Sequence, residues 1–198
     1  QAAVLHAQSH FHAATEEVLM SKWKGVHAPV TGALHALLEN GYAVDILNED
    51  ALLERMSDYA LVVVPEQTHL PEALKTALAG YVKAGGKLLL SGVNVADDFA
   101  ELAGVQAAGE AKDGYFYLQV GREATTVKGP RRPVRLSGAE MLRAVLSQQE
   151  PALNVTEEPA VTLHRVGAGL VAAVHSRLFS HFAATHYPRT RQLVAEIV

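Results

Sequence analysis

The chain has 198 residues, of which 49% are hydrophobic and 19% charged, with a mean hydropathy of +0.09. That composition excludes a disordered chain, and the length suits one domain with a full core. Seventeen basic residues, scattered among twenty-one acidic ones, leave a net charge of −4 and no nucleic-acid footprint, while the absence of cysteine excludes disulfides, thiolate metal sites and a cysteine nucleophile.

In chain order, Ala3-Val4-Leu5-His6 is a short apolar run that reads as a buried strand, and the polar stretch Gln8 to Thr15 after it reads as a loop. From Val30 to Asn40 the apolar positions have helical spacing, closed by Asn40-Gly41, and Tyr42 to Leu47 reads as a second strand. Glu49 to Met56 predicts a short helix. Tyr59 to Pro65, β-branched and continuously apolar, predicts a strand covered on both faces. Pro71 opens a helix with an apolar stripe at Leu74, Leu78 and Val82 that stops at Gly85-Gly86, and Lys87 to Ser91 is the next strand. Alternation of this kind implies an α/β fold with a mainly parallel sheet.

Beyond Gly104 the character changes. Tyr115 to Val120 alternates like a half-exposed antiparallel strand, Gly129-Pro130-Arg131-Arg132-Pro133 reads as a loop, and residues 109–137 read as a small β insertion. A helix is expected from Gly138 to Ser147, then a hairpin from Ala160 to Val174, then a last helix from Pro188 to Ile197. No run approaches the roughly 20 apolar residues of a spanning helix, so no membrane partner is expected. The ends read as boundaries of a piece excised from a larger chain, and nothing distinguishes a cytoplasmic from a periplasmic home.

Four phrases carry a resemblance: Gly41 to Leu47, Tyr59 to Pro65, Tyr81 to Leu90 and Arg165 to Val171. Together they resemble the glutamine-amidotransferase-like domain of glycosidases, and in particular the middle, trimerisation domain of family 42 β-galactosidases. The resemblance implies one flavodoxin-like, three-layer α/β/α sandwich over residues 1–198. It implies a domain that follows a catalytic barrel, helps assemble a homo-oligomer with other domains of a parent glycosidase, and need not catalyse anything; no cofactor is expected.

Active amidotransferases place a cysteine on a sharp turn after a central strand, where backbone N–H groups face it. Here that strand ends Leu90-Ser91-Gly92-Val93-Asn94 without a thiol. The family's His-x-Glu pair, whose carboxylate orients the imidazole, reads His175-Ser176-Arg177, with a cation in the carboxylate's place. No catalytic residue is therefore assigned. Ser91 as a nucleophile with His175 as base would describe a degenerate hydrolase; the competing role for Ser91 is a turn or core serine.

Ten histidines are the compositional oddity, several of them near strand ends. Histidines at the carboxyl edge of a parallel sheet sit where such sheets bind ligands. The stretch around Gln8, His10 and His12, with Trp23 beyond it, offers hydrogen-bonding groups and aromatic faces suited to carbohydrate. Glu66, just past Pro65, and Asn94 are further ligand-binding candidates, with Ser91 and His175. His10-Phe11-His12 has the spacing of a metal pair on a strand, yet no metal site is assigned. Small-molecule or metal binding by these histidines is the alternative to a non-catalytic accessory role. Adjacent Glu16 and Glu17 point apart on a helix and read as a solvated turn. The group Arg131, Arg132 and Arg135 reads as a hydrated basic cluster or a contact for an acidic surface.

Overall fold

A computed structural model describes residues 1–15, 25–148 and 155–198. The first half alternates strand and helix: β1 (Ala2–Leu5), α1 (Gln8–Thr15), α2 (Ala28–Glu39), β2 (Val44–Leu47), α3 (Glu49–Arg55), β3 (Leu61–Pro65), α4 (Glu72–Lys83) and β4 (Lys87–Ser91). Two single turns, α5 (Val95–Asp98) and α6 (Ala100–Ala103), lead into β5 (Val105–Ala107). Then come β6 (Lys112–Val120), β7 (Glu123–Arg131), β8 (Val134–Leu136), β9 (Glu140–Leu146), β10 (Val155–Val166), β11 (Gly169–Val174), α7 (Leu178–Thr185) and α8 (Pro188–Ile197).

Among the described residues, nine strands form one mixed sheet in the order β2-β1-β3-β4-β11-β10-β9-β6-β7, and β5 pairs with β8 apart from it. Strands β2, β1, β3, β4 and β11 run parallel, and the pairs from β11 outward to β7 are antiparallel. Side chains alternate across a strand, so β3 turns Leu61 and Val63 to one face and Val62 and Val64 to the other. All four are buried, because α3 and α4 cover one face while α2, α7 and α8 cover the other. Burial on both sides is why these strands are apolar throughout.

Helix α2 has Pro29 in its first turn, and the Asn40 amide donates back to the Ala36 carbonyl at 2.9 Å. The Asn48 side chain caps α3 by accepting from the Ala51 N–H at 3.0 Å. Helix α4 buries Leu74, Leu78 and Val82, one turn apart.

Three expectations are corrected. Residues 8–15 form α1 and not a loop. Residues 140–146 form β9 and not a helix: its Ala144, Val145 and Leu146 are buried between β6 and β10, whose ladders outweigh the helical preference of Met, Leu, Ala and Glu. Gly129 to Arg131 close β7 and are not loop residues, paired with β6 from Lys112 to Gly114. The sequence also gives no sign of α7.

Candidate functional site

The parallel register brings the carboxyl ends of β1, β3, β4 and β11 to one edge, followed by residues 6–10, 66–70, 92–94 and 175–177. Open α/β sheets bind ligands at this edge. Gln67, buried there, stitches two of the loops: its Oε1 accepts from the Ala7 N–H at 2.7 Å and its Nε2 donates to the Leu5 carbonyl at 3.0 Å. Glu66 and His69 hold φ values of 57° and 59°, a left-handed conformation that is uncommon outside glycine.

Two carboxylates anchor helices here by the same device. Glu49 accepts from the Gln8 and Ser9 N–H groups at 2.8 and 2.9 Å and from the Ser9 hydroxyl, which fixes the start of α1. Glu66 Oε1 accepts from the Phe179 and Ser180 N–H groups at 2.7 and 3.0 Å, and its Oε2 accepts from the Ser180 hydroxyl, which fixes the start of α7. Each satisfies donors that a helix N-terminus leaves open, and the negative charge meets the positive end of the helix dipole. Burial pushes the Glu66 carboxyl up despite those hydrogen bonds, whereas at Glu49 the hydrogen bonds outweigh burial and hold the carboxyl low. Glu66→Ala is expected to destabilise the chain by about 2–4 kcal/mol, since two backbone donors lose their partner, and Glu66→Gln by less because an acceptor remains. Urea unfolding of the two variants checks the order.

His10 lies on α1 against the loop after β3. The Thr68 N–H donates to its Nδ1 at 3.1 Å, so the neutral ring carries its proton on Nε2. Burial, with His69, Arg177 and His6 nearby, holds its pKa below the usual histidine value. His10, Glu66, Arg177 and Ser180, together with Gly25, Val26 and Pro29, line an open cavity of about 360 Å³. Sequence reasoning treats Arg177 only as the cation displacing a triad carboxylate and passes over Ser180, because no local pattern marks a residue that matters through a partner 114 positions away.

The other candidates are dispersed. Helical geometry sets His12 on the face of α1 away from His10, exposed and edge-on to Phe11, so the pair lacks the shared face that strand spacing implied. Gln8 meets the site through its backbone N–H on Glu49. The Asn94 amide donates to the Gln67 carbonyl at 2.9 Å and to Asp98 at 2.6 Å, bracing the turn after β4. Trp23, Glu16 and Glu17 lie outside the described residues. Among the described residues no group of three His, Asp or Glu is arranged to hold a metal ion. Larger cavities of about 470 and 690 Å³ lie elsewhere, beside His164 and Phe99 and between Tyr59 and Tyr81.

Ser91 and His175 are both buried but not bonded to each other. The Ser91 hydroxyl donates to the Ser176 carbonyl at 3.0 Å, and His175 Nε2 meets the Thr162 hydroxyl at 3.1 Å. The sharp turn itself falls on Gly92, at φ 138°, where a Cβ would stand 2.6 Å from Asn94 Oδ1 and 3.2 Å from the Glu66 Cα. A side chain at this position would be strained by the backbone angle and would crowd the braced Asn94 side chain. Of the basic cluster, Arg131 is buried, ion-paired to Glu158 and stacked over Phe116, while Arg132 pairs with Asp97 and Glu110.

Residues 1–108 match the family model of the β-galactosidase trimerisation domain. No curated protein matches the sequence. Among solved structures, the exo-β-1,4-mannosidase Op5Man5 from Opitutaceae bacterium strain TAV5 is similar at 18% identity and a TM-score of 0.72, over 100% of this chain and 36% of that one. A β-galactosidase from Bacillus circulans sp. alkalophilus is similar at 14% identity and 0.71, over 99% and 30%. The α-L-fucosidase isoenzyme 2 from Paenibacillus thiaminolyticus is similar at 18% and 0.70, over 99% and 32%. The chain thus spans about a third of the length of each, and at these identities the likeness is one of fold.

Proposed function

We propose that this chain, which belongs to the β-galactosidase trimerisation domain family, is a non-catalytic assembly domain of a larger glycosidase. The observation that carries the reading is the turn after β4. Glycine occupies the bend, the neighbouring Ser91 hydroxyl is committed to a backbone carbonyl, and the His175 imidazole is tied to Thr162. Serine hydrolysis needs an activated hydroxyl beside oxyanion donors, and none of these groups is poised for it.

The finer architecture we assign is a flavodoxin-like three-layer sandwich of the glutamine-amidotransferase type, one domain over residues 1–198 with residues 109–137 as an insertion. The parallel order β2-β1-β3-β4 with helices on both faces supports that assignment. The carboxyl edge, with His10 and Glu66 on it, lends side chains to a sugar site.

Sedimentation of the chain is expected to show a species of three times its mass, and glutaminase and esterase assays are expected to show no turnover. Ser91→Ala is expected to leave both results unchanged and to cost about 1 kcal/mol of stability through its lost hydrogen bond. A monomer at all concentrations would overturn the assembly role. Turnover abolished by Ser91→Ala would overturn the non-catalytic one.

A further inference from the structure

The cavity at the carboxyl edge has a polarity that selects among ligands. Three side chains on it have fixed hydrogen-bonding roles. His10 Nδ1 is occupied as an acceptor by the Thr68 N–H, so the ring's remaining nitrogen is a donor. Arg177, exposed and with no side-chain hydrogen bond or ion pair to a described residue, can only donate. Ser180 has its hydroxyl hydrogen committed to Glu66, so its oxygen can only accept.

A ligand that completes this set must accept from Arg177 and His10 and donate to Ser180. Carboxylates cannot donate, and any anion would face the Glu66 carboxyl behind Ser180. Ammonium groups cannot accept and would face Arg177. A hydroxyl does both, and two adjacent hydroxyls place the acceptor and donor roles side by side. At about 360 Å³ the cavity falls at the small end of ligand sites, the scale of one sugar ring and not of an oligosaccharide. The Glu66 cap contributes by holding Ser180 and the first turn of α7 in place, on a strained backbone that the surrounding loops must stabilise.

We infer that Arg177, His10 and Ser180 form a binding site for a neutral vicinal diol, the hydroxyl pair of a single pyranose ring. The inference rests on reading the carboxyl edge as a sugar-binding site, and adds which side chains hold the ligand and what charge it carries.

Titration of the chain with galactose, mannose, fucose, galacturonate and galactosamine, followed by calorimetry or NMR, tests it. A neutral sugar is expected to bind with a dissociation constant on the order of 1–10 mM, weakened by about tenfold or more in Arg177→Gln and in His10→Phe. Arg177→Gln is expected to keep the thermal midpoint of the parent chain, because it leaves the Glu66 cap on α7 in place, whereas His10→Phe is expected to lower it slightly through the acceptor lost to the Thr68 N–H. Galacturonate or galactosamine binding about tenfold tighter than galactose would overturn the neutral diol while leaving a ligand site at this edge. Binding of a neutral sugar that survives both substitutions would overturn the residue assignment. The absence of saturable binding by all five would overturn the inference together with the sugar-site reading beneath it.

Discussion

Gly32→Ala is expected to destabilise the chain by about 3 kcal/mol, toward the upper end of what overpacking costs. Gly32 lies on the flank of α2 that packs on α7, and a Cβ built there would overlap the Phe179 carbonyl oxygen, 2.7 Å from its carbon and 3.2 Å from the Ala183 nitrogen. All three atoms are backbone, so no side chain can rotate to make room. The helices must part, and with them the seat of Phe179 and Phe182, which are fully buried between α7 and the sheet. Alanine gains up to about 1 kcal/mol of helix propensity over glycine, which offsets only part of the loss. A chain of this size is expected to melt roughly 6–12 °C lower. Calorimetric scans of Gly32→Ala beside Gly80→Ala form the test. Gly80 is an exposed helical glycine with nothing within 4 Å of a built Cβ, so its variant is expected to gain stability. Equal midpoints for the two would show that the crossing of α2 and α7 is not as close as the backbone indicates.

The contrast between what the sequence reveals and what it hides follows from where the stabilising partners lie. Strands β1, β3 and β4 are legible because burial on both faces demands unbroken apolar runs, and α2, α4 and α8 because one buried face imposes a helical period. Helices α1 and α7 are not legible, for one shared reason. Neither has a capping side chain before its own start. Each is capped by a carboxylate far away in sequence, Glu49 for α1 and Glu66 for α7, with a serine hydroxyl of the helix joining the same carboxylate. Local patterns of the kind that mark the start of α3 are absent, and only the assembled sheet edge supplies them. Strand β9 fails in the opposite sense: its residues favour a helix, and ladders to β6 and β10 decide otherwise. The site divides in the same way. Loop polarity and strand ends point to His10 and Glu66, whereas Ser180 becomes visible only when α7 is docked. The histidine after β11 stands out for its chemistry, yet its place is inside the core.

That histidine supplies the second large effect, a loss of stability on acidification. His175 is fully buried between β10 and the end of β7, and burial, reinforced by the Arg131 charge, pushes its pKa down from 6.5 to about 4. Among the described residues its Nδ1 has no hydrogen-bond partner that would welcome a proton. Between these two values the unfolded chain binds a proton that the folded chain refuses, so stability rises with pH across the window. The contribution is fully present above pH 6.5 and is lost as the pH falls towards 4. It totals about 3 kcal/mol, because each tenfold loss of proton affinity on folding corresponds to about 1.4 kcal/mol. Glu66 acts with the opposite sign: its raised carboxyl contributes stability below its ordinary value of 4.5, which is lost as pH rises through its folded value. The two therefore partly cancel in the whole curve, and a single substitution is needed to separate them. His175→Gln keeps a polar group within reach of Thr162 and cannot titrate. Urea unfolding free energies measured from pH 7 to 4.5 are expected to fall more steeply for the parent chain than for the variant, with the difference growing by about 2–3 kcal/mol over that range. Parallel curves would mean that the buried imidazole takes up its proton at an ordinary pH, and that the Arg131 guanidinium and the dry setting around it do not act on it as the geometry requires.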